Sequence, residues 1–138
     1  MREIKFRAWD LHEKRMIQSY AHKGINNRLY IASQADDAER IELMQFTGLK
    51  DKNGKEIYEG DIIRTDAFYS KTLKNYLVRW DKWAAWYDLR CTEDQEDVEF
   101  LGTGVQNVTL YSSSEYSREI IGNIHENPEL SGGINAKI

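Results

Sequence analysis

Residues 43–64 read LMQFTGLKDKNGKEIYEGDIIR. Residues 42–46 have strand character, and Thr47-Gly48 follows. Asp51-Lys52-Asn53-Gly54 is a strong turn signal. Asn and Gly both tolerate positive φ, as a type I′ hairpin or a type I turn with a glycine bulge requires. Ile57-Tyr58 resumes extended structure, and Glu59-Gly60 breaks it. Residues 61–65 then form a new strand with Ile62 and Ile63 in the core. The charges of the stretch fit turn chemistry and its glycines fit backbone geometry. It reads as the seam where an N-terminal part hands over to a β unit.

Upstream, residues 3–9 alternate with period two, as a half-buried strand does. Residues 10–15 have turn character and 16–20 read as a return strand, which makes an N-terminal hairpin. Trp9, at the strand end, either caps a core edge or lies in an interface. Residues 24–27 look like a turn and 29–32 like a short strand. Ser33 fits the N-cap of a short helix over 34–40, with Asp36 and Asp37 in its first turn. That segment has almost no apolar face, so a loop competes with the helix.

Downstream, 67–74 is a polar connection. Residues 75–81 form a strand with Tyr76, Val78 and Trp80 on one face and Leu77 and Arg79 on the other. Asp81-Lys82 is a tight turn into a strand over 83–89. Residues 90–97 form an acidic loop, 98–101 and 108–111 are strands around a turn, 112–117 is a polar loop, and 119–125 is the last strand. Pro128, the only proline in the sequence, cannot donate to a ladder.

Regularly spaced short strands with little helix indicate a small antiparallel barrel or sandwich. The fold class read from the sequence is α+β, mainly β. It comprises an N-terminal hairpin subdomain with a connecting segment (1–42), a small SH3-like antiparallel β-barrel (43–130) and a disordered tail (131–138). The SH3-like element is the YEGDIIR entry strand at 58–64, where glycine lets the backbone turn into the barrel.

The protein has 138 residues, 41% apolar and 30% charged, the composition of a globular domain that needs no metal or disulfide staple. Net charge is −4, unlike the basic balance of a nucleic-acid coat. The charge is uneven. Residues 2–28 carry seven Lys/Arg against three acids, and 93–99 carry five acids and no base. A protein so polarised either contacts a like-built neighbour head to tail or has a solvated face and an acidic loop. Cys91 is the only cysteine, so an intramolecular disulfide is impossible and a reducing compartment is expected. The N-terminal MREIKFRAWD lacks the apolar core of a signal peptide, and the expected location is the bacterial cytoplasm.

Catalytic chemistry finds little to stand on. His12, His22 and His125 show no metal-ligand spacing. No nucleophile elbow, Walker loop or dinucleotide fingerprint occurs. Asp51 opens no calcium loop, since the twelfth position is Ile62 rather than Glu. Cys91 lacks an adjacent base. Glu59 and Asp61 flank Gly60 as a carboxylate pair, and the reading for Asp61 is an acceptor of backbone N–H bonds at the turn. No catalytic residue, metal or cofactor is assigned.

The candidate binding residues are Trp80, Trp83, Trp86 and Tyr87 with Arg79 and Lys82. Such a cluster fits core packing, a protein interface rich in Trp, Tyr and Arg, or a platform for single-stranded nucleic acid. Period two puts Trp83 and Trp86 on opposite faces, so the cluster cannot be all core and all site.

Three blocks, residues 2–10 (REIKFRAWD), 43–64 and 120–130 (IIGNIHENPEL), carry a resemblance to the YopX family. The resemblance implies a bacteriophage or prophage origin and an α+β arrangement with a β-barrel part. It implies no catalytic residue, because the family's function is itself unassigned. The expectation is a non-enzymatic accessory protein acting through protein–protein contacts, as a homo-oligomer with an unknown protein partner. A nucleic-acid-binding module is the alternative, and a hydrolase a weaker third. No membrane contact is expected.

Overall fold

Period-two alternation and short turn signals produce a fold that is almost entirely β. The computed structural model describes residues 4–23, 29–31, 41–67, 70–81, 86–92, 98–102 and 118–132. The possible helix at 34–40, the strand at 108–111 and the loops at 93–97 and 112–117 lie outside the described residues. Among the described residues the one helical element is a 3-10 turn, Pro128–Ser131. No helix among them is long and apolar enough to cross a membrane. The protein divides into two compact units, Met1–Phe46 and Thr47–Ile138.

In the first unit, β1 (Lys5–Asp10) pairs antiparallel with β2 (Arg15–Lys23) on one side and with β4 on the other. Strand β4 is Ile41–Lys50, and the short β3, Leu29–Ile31, extends the sheet beyond β2. The turn from β1 to β2 is held by Asp10. Its Oδ1 accepts from the backbone N–H groups of His12 and Glu13 at 2.9 and 3.0 Å. Lys14 closes the turn with φ of 52° and an N–H donated to the Asp10 carbonyl. Ala8 lies in register between Ile17 and Leu43 and is buried in a small cluster with Phe6, Ile17 and Ile41. Trp9 is buried.

In the second unit, β5 (Glu56–Tyr58), β6 (Asp61–Ala67), β7 (Ser70–Asp81), β8 (Trp86–Cys91), β9 (Val98–Gly102) and β10 (Glu119–Asn123) follow in order. The last five form one antiparallel sheet ordered β10-β6-β7-β8-β9. It curls into a half-barrel. Both faces of its centre are covered. Tyr76 and Val78 join Ile57, Ile63, Tyr87, Leu89 and Cys91 on one side. Leu77 joins Ile62 and Ile124 on the other. This explains the unbroken apolar runs Ile62-Ile63 and Tyr76-Leu77-Val78. A strand buried on both faces has no polar side to alternate with.

Several bounds differ from the sequence reading. β4 continues through Thr47-Gly48, where an interruption was expected. Gly48 takes φ of 85°. The Thr47 hydroxyl donates to the Ile57 carbonyl at 2.8 Å and accepts from the Leu49 N–H, so the kink stays hydrogen-bonded. Residues 67–74, expected to be a connection, belong mostly to strands. Thr65 and Asp66 pair with Lys74 and Leu73, because ladder bonds need no apolar side chain. Of the tail, Ser131 is buried and Gly132 ends the 3-10 turn in the left-handed region at φ of 61°.

A Cβ at Gly132 would collide with the Thr92 backbone carbonyl. Gly132→Ala is expected to destabilise by more than about 1 kcal/mol, since both φ and space oppose it. Denaturant unfolding checks this. The same substitution at Gly54, where nothing lies within 4 Å of the Cβ position, should cost less.

Candidate functional site

Asp51 and Asp61, which the sequence reading weighed for chemistry, are engaged by the backbone. Asp51 is 7% exposed. Its Oδ1 accepts from the N–H groups of Asn53 and Lys55, each at 2.9 Å, and its Oδ2 accepts from the Ile120 N–H at 3.1 Å. One carboxylate thereby closes the turn and ties it to the first residues of β10. The Lys52 N–H donates to the Arg118 carbonyl beside it, and Lys52 Nζ lies 3.3 Å from Glu119. Asp61 acts likewise. Its Oδ2 accepts from the Tyr58 N–H at 2.8 Å across Gly60, whose φ is 85°. The Gly60 N–H donates to the Val78 carbonyl, and its carbonyl accepts from Ile124. Asn123 repeats the device with the N–H groups of His125 and Glu126.

These bonds fix Asp51 and Asp61 as turn-holding groups. A carboxylate whose oxygens accept backbone N–H bonds is held in one orientation, which suits structure rather than proton transfer. Among the described residues no group of three or more His, Cys, Asp or Glu is placed to hold a metal ion. Cys91 is fully buried in the core.

The aromatic and basic candidates on β7 and β8 divide between two faces. Trp80 pairs in register with Tyr87, and their rings meet edge to face at 4.8 Å and 66°. Tyr87 is a buried core residue, whereas Trp80 remains 38% exposed at the rim of that face. Arg79 pairs with Asp88, and alternation turns both toward the opposite face. Arg79 Nε and Nη2 donate to the two Asp88 carboxylate oxygens at 2.8 and 3.2 Å. Asp88 is nearly inaccessible, at 1% exposure. Trp86 opens β8 opposite Asp81. Lys82 and Trp83 lie outside the described residues.

The Asp88 partner was missed because the hairpin register differs from expectation. A two-residue turn at Asp81-Lys82 would set Arg79 opposite Ala84. Instead β7 runs through Asp81 and β8 begins at Trp86. Neither Asp81 nor Lys82 is the glycine that primed two-residue turns favour. The observed register also aligns Val78 with Leu89 and Arg79 with Asp88. The sequence signal was there: an Asp among the apolar residues of Tyr87-Asp88-Leu89 calls for a cation opposite.

The family model described as YopX protein matches residues 5–131. The protein belongs to the YopX family. Among solved structures it is similar to protein EF1440 from Enterococcus faecalis, with a TM-score of 0.52, 29% identity, and coverage of 93% of this sequence and 97% of that one. It is also similar to the protein yopX from Bacillus subtilis, with a TM-score of 0.54, 18% identity, and coverage of 91% and 96%. The latter likeness is one of fold. No curated protein matches the sequence. Family membership brings no catalytic or ligand-binding residue to the positions described above.

Truncating the two partners of the buried pair should have unequal effects. Arg79→Met removes two charge-assisted bonds from a carboxylate that water hardly reaches, and a loss of about 3 kcal/mol is expected. Asp88→Asn leaves a guanidinium whose side chain is already 29% exposed, so its loss should be smaller. Urea unfolding of the two variants and their double mutant measures the difference.

Proposed function

We propose that the protein is a phage- or prophage-encoded accessory protein of the bacterial cytoplasm that works through protein–protein contacts, as a homo-oligomer, without catalysing a reaction. The strand pair β7–β8 supplies the contact, with Trp80 as its anchor. The observation that carries the reading is Trp80 itself. It is a large aromatic held against the core by Tyr87, yet it keeps over a third of its surface in solvent. A preordered Trp loses little side-chain freedom on binding, which is why such residues dominate interface energetics. The second unit is read as a small SH3-like barrel. Support comes from its strand order, a meander β6-β7-β8-β9 with β10 returning beside β6.

The nucleic-acid alternative draws less support. A stacking platform needs cations beside its aromatics to follow the phosphate backbone. Arg79 is bound to Asp88 and faces away from Trp80.

Light scattering at micromolar concentration should give a mass above that of the 16.2 kDa monomer. Trp80→Ala should weaken self-association by about thirtyfold, the effect of losing a hot spot of about 2 kcal/mol. A clean monomer in the unmodified protein ends the homo-oligomer reading. Salt-dependent binding of a labelled oligonucleotide, lost on Trp83→Ala, would favour the alternative.

A further inference from the structure

The Asn53-Gly54 peptide occupies an exposed turn, and the groups around it define a chemical reaction as well as a shape. An asparagine followed by glycine is open to intramolecular attack, because glycine presents no side chain to hinder its own backbone nitrogen. The Gly54 N–H loses its proton and the nitrogen attacks the carboxamide carbon of Asn53. A new C–N bond forms, the bond from that carbon to the amide nitrogen of the carboxamide breaks, and ammonia leaves with the proton. Water then opens the five-membered imide at either carbonyl, giving aspartate or isoaspartate. Nothing is oxidised or reduced, and the co-reactant is water.

In this turn the attacking nitrogen is engaged elsewhere. The Gly54 N–H donates to the Asp51 carbonyl at 3.0 Å. The peptides on either side are pinned to the Asp51 carboxylate, through the N–H groups of Asn53 and Lys55. The Asp51 N–H donates in turn to the Lys55 carbonyl at 2.8 Å. Asn53 and Gly54 are both exposed, so water reaches the site and the hydrogen-bonded turn is what holds the reaction back. We propose that Asn53 is a site of spontaneous deamidation gated by the Asp51 turn, and that its isoaspartyl product releases β10 from that turn.

The second clause follows from the product's backbone. Isoaspartate routes the main chain through Cβ and adds one carbon between the Asn53 and Gly54 nitrogens. Asp51 Oδ1 can then no longer meet the Asn53 and Lys55 N–H groups together. The new carboxylate also lies beside the Asp51 carboxylate and repels it. The same Asp51 side chain holds the Ile120 N–H, so β10 loses a backbone tie. The step is one-way, because amide is not restored by hydrolysis.

The test incubates the full-length protein at mildly alkaline pH, folded and in urea. Conversion at Asn53 is followed by the mass change of amide to carboxylate in the tryptic peptide, with fragmentation to separate aspartate from isoaspartate. Conversion of the folded protein should be slower than that of the unfolded protein by about tenfold or more, the suppression expected of a reaction that waits for local opening. Asp51→Ala should convert near the unfolded rate. The isoaspartyl fraction, separated by ion exchange, should show faster hydrogen exchange at the Ile120 amide. Equal rates for folded and unfolded protein overturn the gate. An unconverted Asn53 in the unfolded protein overturns the site, and unchanged exchange at Ile120 overturns the coupling. If Asp51→Ala does not fold, the ratio of folded to unfolded rates in the unmodified protein, compared with amide exchange at Gly54, decides the gate.

Discussion

Asp51 is the group on which the second unit's entry depends. A tight turn leaves backbone N–H groups with no ladder partner, and burying them unpaired costs on the order of 1–3 kcal/mol each. A short side chain with two oxygens answers that cost locally. Asp51 serves Asn53 and Lys55 with one oxygen and reaches Ile120, 69 positions along the sequence, with the other. The local bonds shape the turn. The distant bond fixes where β10 begins, and β10 pairs with β6 in the unit's main sheet. A single residue thereby couples hairpin geometry to sheet assembly.

The device recurs at three other turns among the described residues. Asp10 holds the β1–β2 turn, Asp61 the entry to β6, and Asn123 the exit from β10. Glycines at 54 and 60 supply the positive φ that the oxygen acceptors close around. With turns defined this way, the strands between them can be short. Apolar side chains then need only fill the two faces of β6, β7 and β8, and one-residue offsets are penalised because each strand is buried on both sides.

The mainly β character, the turn at 51–54, the role of Asp61 and the core residues Ile62 and Ile63 were legible in the sequence, because each follows from local pattern. Strand lengths were less so. Ser70, Leu73 and Lys74 pair with β6 through the backbone, and a single apolar residue, Leu73, among residues 70–74 makes no alternating pattern. The β7–β8 register was misread by assuming the shortest possible turn. That error hid the Arg79–Asp88 pair. Pairing across strands is a long-range property, and alternation within one strand fixes only which residues share a face. Trp9 shows the same limit: alternation left it either capping a core edge or in an interface, and it is buried, because which face is covered depends on elements that local pattern does not position.

The three blocks that carry the family resemblance are the segments that contain the turn-holding side chains: Asp10 in the first, Asp51 and Asp61 in the second, Asn123 in the third. The aromatic strands β7 and β8 fall between blocks. The family model nonetheless spans both strands, since it matches residues 5–131, so the frame it describes includes the surface that offers an exposed Trp80. Turns held by buried carboxylates constrain the sheet without dictating what its rim presents. The carboxylates within the three blocks are bonded to the backbone, and their acceptor oxygens are spent on the turns they hold.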